Sequence, residues 1–143
     1  MVTGAARGIG RAIALRLAQD GADLALMDLS DDVNGTADAV RALGVRAFAV
    51  QADVSDAAAV TEAVATLTTE LAAIDILVNN AALVKNIAPV GKMAAADWET
   101  EIAVNLNGPF NLIRAVIEPM AEAGWGRIIN ISTSDVTMVR GGY

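Results

Sequence analysis

Three glycines, Gly4, Gly8 and Gly10, stand in the spacing G-x-x-x-G-x-G within the stretch TGAARGIG (3–10). Glycine lets a backbone turn tightly and come close to a ligand. A helix opening near Ile9 would aim its free N–H groups and the positive end of its dipole at a phosphate. No Gly-Lys-Ser/Thr follows Gly10, so the stretch is not a P-loop. Eighteen residues past Gly10, a short apolar run ends in Asp28. An acid there can accept hydrogen bonds from the ribose hydroxyls of a bound dinucleotide. Its charge would repel a 2′-phosphate, which favours NAD over NADP. Arg7 argues the other way, because a guanidinium beside the loop could pair with that phosphate. The plainer readings are an ordinary strand-to-helix turn and an Asp that starts a turn.

The absences restrict the chemistry further. The 143 residues contain no cysteine and no histidine. Disulfides, thiolate nucleophiles, Cys/His zinc sites and histidine-based triads are excluded, and no metal site is expected. Acid–base work falls to carboxylates, Tyr, Lys or a cofactor. The net charge is −7, with ten basic residues scattered along the chain, which argues against nucleic acid as a partner. No apolar run approaches the roughly 18 residues of a membrane span. No secretory signal is visible either. The expectation is a soluble, cytoplasmic protein with no membrane partner.

These residues need elements to position them. Ile9, Ile13 and Leu17 recur at helical spacing, and Gly21 follows as a stop. DLALMD (23–28) reads as a buried strand, 31–43 as a polar helix closed by Gly44, and VRAFAVQAD (45–53) as a strand. Ser55 is the expected cap of a helix striped by Val60, Val64, Leu67 and Leu71. IDILV (74–78) is a further buried strand, and residues 83–94 read as a loop. Ile102, Leu106, Phe110, Ile113, Ile117 and Met120 keep a helical period for five turns, with a kink expected at Pro109. Gly124 and Gly126 end that helix, and RIINIS (127–132) is the last strand. Trp98, Phe110 and Met120 are assigned to packing. The βαβαβ alternation predicts an α/β fold with helices on both faces of a parallel sheet. No repeat, linker or low-complexity tract interrupts it, so residues 1–143 are read as a single dinucleotide-binding domain.

The motifs together resemble the short-chain dehydrogenase/reductase family. TGAARGIG (3–10) resembles its TGxxxGxG cofactor loop, and ADV (52–54) resembles its adenine-contacting segment, with Asp53 facing the ring's amino group. NNAA (79–82) resembles NNAG, with Ala82 in place of the last Gly. VNLNGPF (104–110) resembles the segment carrying the catalytic Asn, which falls on Asn105, and GRIINIS (126–132) resembles the strand leading to the catalytic Ser. Asp53 also reads as a solvated loop acid, Asn79 and Asn80 as turn closers, and Asn105 as a surface residue. The resemblance implies a Rossmann-type doubly wound sheet of order 3-2-1-4-5. It implies hydride transfer between an alcohol and a carbonyl on a nicotinamide cofactor, and a homo-oligomeric parent enzyme. Gly4, Arg7, Gly8, Ile9, Gly10, Asp28, Asp53, Val54, Asn80 and Ala81 are then expected to line NAD, with NADP possible.

The sequence departs from the family where the proton would move. The catalytic hydroxyl falls on Ser134 or Thr133, beside Ser132, with Ser134 preferred. Tyr143 is the last residue, so no Lys follows it four positions on. It also stands closer to that hydroxyl than the family's Tyr does, and is set outside the catalytic set. The first strand is reduced to Met1 and Val2. Three or four missing buried aliphatics would remove on the order of 5–10 kcal/mol, against a usual domain stability of about 5–15 kcal/mol. The expectation is a fragment cut at both ends, marginal alone. A cooperative melt well above room temperature would contradict that. The rival reading is a nucleotide-binding module, or an inactive remnant, without the Tyr–Lys pair. ALVKNIAPVGKM (82–93) is too generic to name a substrate.

Overall fold

The computed structural model describes residues 1–84 and 89–132. Apolar runs too short for a packed helix become strands: β1 (Val2–Thr3), β2 (Leu24–Asp28), β3 (Ala47–Gln51), β4 (Ile76–Asn79) and β5 (Arg127–Asn130). They form one parallel sheet in the order β3-β2-β1-β4-β5. The connecting helices are α1 (Gly8–Gln19), α2 (Val33–Arg41), α3 (Ala57–Leu71), α4 (Ala95–Ile102) and α5 (Gly108–Glu122). Class and strand order are those the sequence leads one to expect.

Alternation along each strand splits the core into two layers. Leu24 and Leu26 of β2, with Val2 and Val78, meet Ala14 and Ala18 of α1 and Val33, Ala37 and Val40 of α2. Ala25 and Met27, with Leu77, meet the Val60–Val64–Leu67–Leu71 stripe of α3 and Leu112, Val116 and Met120 of α5. β2 is apolar on both faces because both are covered.

Several boundaries and faces differ from expectation. α1 is fully buried at Gly10, Ala14 and Ala18, with Ile13 and Leu17 half-buried against the same layer and Ile9 exposed. Small residues let that helix lie close on the sheet. The cap of α3 is Asp56, not Ser55: its carboxylate accepts from Ala58 N and Ala59 N. The 83–94 loop contains a 3-10 turn at Val90–Lys92, and α4 starts at Ala95, well before the apolar stripe. That stripe is not one continuous α-helix. Residues 103–107 form a π-helical turn between α4 and α5, with Gly108 N donating to the carbonyl five residues back. Pro109, the expected site of a kink, falls in the first turn of α5, where its missing N–H costs no intrahelical bond. Leu106, Phe110 and Ile117 face outward, and α5 is buried through Gly108, Leu112, Val116 and Met120. Trp98 and Phe110 are 56% and 57% exposed, so of the three residues assigned to packing only Met120 packs.

Met1 extends the pairing of β1 with β4: its N donates to Ile76 O at 2.6 Å and its carbonyl accepts from Val78 N at 2.9 Å.

Candidate dinucleotide site

Parallel strands deliver their C-terminal ends to one edge of the sheet. The order reverses between β1 and β4, where chains leave in opposite directions and a crevice opens. A cleft of about 500 Å³ lies at that edge. Gly4, Arg7, Ile9, Asp28, Asp53, Val54, Asn80 and Ala81 line it, eight of the ten residues expected around the cofactor. Gly8 and Gly10 shape the loop without lining the cleft. A second hollow of similar size lies at the opposite edge of the sheet, around Met1, Asp23, Arg46 and Ile74. It holds none of the predicted residues.

Each wall has a local cause. The loop after β1 leads into α1, whose first-turn N–H groups have no intrahelical acceptor. Arg7 at its N-cap supplies no side-chain cap. Gly8 has φ +56°, and open space surrounds the position a Cβ would take, as an approaching phosphate requires. Gly10 is different, because a Cβ there would stand 2.1 Å from Gly4 O. Ile9, 64% exposed, extends its side chain into the cleft instead of the core.

Asp28 closes β2 and is fixed by two backbone donors. Its Oδ2 accepts from Ala6 N and its Oδ1 from Ser30 N, each at 2.9 Å. A carboxylate has about four acceptor positions, so capacity remains for a ligand hydroxyl. The dinucleotide reading and the turn reading of Asp28 are thus compatible. Asp53 behaves alike: its Oδ1 accepts from Ser55 N at 2.8 Å and Ser55 Oγ at 2.7 Å.

The NNAA segment is more than a turn closer. Thr3 Oγ1 accepts from Asn80 N and Ala81 N, both at 3.1 Å. Asn80 Nδ2 donates to Thr3 O and Gly4 O at 3.0 and 3.2 Å. Asn79 is buried and donates to Asn130 Oδ1. Asn105 sits in the π-helical turn, and its amide pairs with both backbone groups of Leu83, accepting from N at 2.8 Å and donating to O at 2.7 Å. Its side chain is thereby committed. Pro109, four residues on, has no N–H to offer the Asn105 carbonyl. Thr133, Ser134 and Tyr143 lie outside the described residues. Ser132 is exposed just past the end of β5.

The predicted residues did not include Leu29, Ala52, Ser55, Ala82, Leu83, Thr100 and Val104, which also line the cleft. Leu29, Ser55 and Ala82 directly follow predicted positions, Ala52 directly precedes one and Leu83 stands two past Ala81, so all five were within reach. Thr100 and Val104 arrive through α4 and the π-helical turn, which no local pattern announced. Among the described residues no cluster of three or more Asp or Glu could hold a metal ion, and no helix is long and apolar enough to cross a membrane.

Comparison with known proteins agrees with this geometry. D-threitol dehydrogenase of Mycolicibacterium smegmatis is 40% identical over 143 residues, which cover 96% of this chain and 53% of that protein. The 3-oxoacyl-[acyl-carrier-protein] reductase FabG of Staphylococcus epidermidis is 36% identical over 135 residues, 93% of this chain and 55% of that protein. The chain spans about half the length of these relatives. Among solved structures, NAD+-bound xylitol dehydrogenase superposes with TM-score 0.92 at 33% identity, over 97% of this chain and 54% of that one. A metagenomic short-chain oxidoreductase in complex with NADP gives TM-score 0.87 at 36% identity, over 92% and 60%. The short chain dehydrogenase sequence pattern matches residues 1–141, and with the parallel sheet and its loop-lined cleft this places the chain in the short-chain dehydrogenase family.

Proposed function

We propose that this chain is the cofactor-binding domain of an oxidoreductase that moves a hydride between NAD and a small alcohol or ketone. One observation carries the reading: a single cleft at the strand-order reversal gathers the open N-terminus of α1, Asp28 and Asp53. The α1 N-terminus would hold the pyrophosphate. Asp28 would accept from the adenosine ribose and Asp53 from the adenine amino group, with Val54 and Ala81 as apolar walls. The cofactor, when bound, supplies the hydride donor or acceptor. Asn105 holds Leu83 through its side chain, and its carbonyl would orient a water for proton relay. Ser134 or Thr133 would position the substrate oxygen.

Asp28 also decides between cofactors. Two backbone donors fix its charge at the end of β2, where a 2′-phosphate would have to sit. Arg7 has no ion pair among the described residues, and an exposed guanidinium in high dielectric offsets little of that repulsion. Fluorescence titration should give an NADPH dissociation constant at least about tenfold above that for NADH, a difference near 1.4 kcal/mol. NADPH binding as tight as NADH would overturn the role given to Asp28. NADH binding with no hydride transfer by the longest available form of the protein would favour a binding module.

A further inference from the structure

We infer that Asn111 positions the adenine end of the proposed cofactor site. It does not line the cleft. It lies on α5, one turn past Gly108, and its Nδ2 donates to Val54 O at 3.0 Å and Ser55 O at 3.4 Å. Those carbonyls belong to the loop carrying Asp53 and lie 57 and 56 positions back along the chain.

The contact is built from both sides. Gly108 lets α5 lie directly on the loop, because a Cβ there would be 2.8 Å from Val54 Cγ2. Val54 is buried, and Ser55 is tied to Asp53 Oδ1 through both its N–H and its hydroxyl. The carbonyl side of the loop is held by Asn111 and the side-chain side by Asp53 itself. Removing the amide frees two carbonyls, and the loop can then rotate to expose them to water. That rotation carries Asp53 with it. Asn105 makes the matching contact on the loop after β4, gripping Leu83. Two amides six residues apart thus tie the loops after β3 and β4 to one helical segment.

The inference rests on the proposed dinucleotide site, and the test separates the two. NADH is titrated beside reduced nicotinamide hypoxanthine dinucleotide, whose ring lacks the amino group that Asp53 would read. The unsubstituted chain is expected to prefer NADH. Asn111→Ala should raise the NADH dissociation constant about tenfold, the scale of one hydrogen bond. It should change that of the hypoxanthine analogue less than about twofold on the same scale. If Asn111→Ala does not fold, Asn111→Ser, which keeps a shorter donor, should show the same selective loss to a smaller degree. Equal loss on both ligands would mean a merely structural role, and no loss on either would mean no role. Both outcomes overturn the inference and leave the dinucleotide site standing. Equal binding of the two ligands by the unsubstituted chain removes the adenine contact and the inference with it. Binding of neither removes the proposed function as well.

Discussion

Gly10→Ala should cost this protein its dinucleotide. The added methyl would lie 2.1 Å from Gly4 O, 2.5 Å from Asn80 Nδ2 and 2.8 Å from Gly4 C. Two of these atoms are backbone, and the third is an amide already bonded to the same carbonyl. None is the free end of a flexible side chain, so α1 or the loop must move off the end of β4. Overpacking of this kind typically costs about 1–3 kcal/mol. The displacement also re-aims the first-turn N–H groups of α1. A misplacement of about 1 Å is enough to lose roughly a hundredfold in a positioned interaction. We expect the NADH dissociation constant to rise about that much, with a melting temperature lowered by several degrees, about 2–4 °C per kcal/mol for a domain near this size. Gly8→Ala is the informative comparison. Its φ of +56° makes any side chain strained, at about 1–2 kcal/mol, but nothing lies within 4 Å of the new methyl. That methyl occupies the open side of the loop, so affinity should fall without the helix moving. Gly10→Ala with unchanged melting and unchanged affinity would refute the packing argument.

How much of this was legible depends on what kind of interaction was asked for. Strands β2 and β4 announce themselves because a strand covered on both faces must be apolar throughout, as LALMD and ILVN nearly are. The glycine loop, Asp28 and Asp53 are legible as neighbours because they follow or close β1, β2 and β3 at fixed local spacing, and one cleft gathers them. Faces were less legible. Ile9 and Ile13 look like a buried stripe, yet alanines make the close contact and Ile9 turns to the cleft. Ile102 to Met120 repeat correctly, but hydrophobic period alone does not say which side is covered. The inserted π-helical residue shifts the phase midway, so Leu106 and Phe110 point outward. Ser55 lost the cap to Asp56 because its hydroxyl is spent on Asp53. Least legible were bonds between distant positions. Asn111 to Val54, Asn105 to Leu83 and Thr3 to Asn80 leave no local mark, since each amide or hydroxyl looks the same in sequence with or without its partner.

Thr3 shows how large such an unmarked contact is. β1 has two residues, and its register with β4 is the single pair Val2 with Val78. Past that pair the strands diverge, because one chain turns toward α1 and the other toward the α4 side. The ladder cannot follow them apart. Thr3 Oγ1, on a residue 1% exposed, stands in for the missing carbonyl and accepts both Asn80 N and Ala81 N. Thr3→Val keeps the shape and removes the acceptor. Two partly buried N–H groups are then unpaired, at about 1–3 kcal/mol each, so we expect a loss of about 3–4 kcal/mol in urea unfolding. Thr3→Ser keeps the oxygen and loses one methyl, about 1 kcal/mol. If Thr3→Val matched Thr3→Ser, the two N–H groups would have found other acceptors and the hydroxyl would be replaceable. If it falls as expected, the consequence reaches the site, because Asn80 and Ala81 form one wall of the cleft. Saturating NADH would then restore stability to Thr3→Val less than to Thr3→Ser, since ligand stabilisation scales with the affinity that remains.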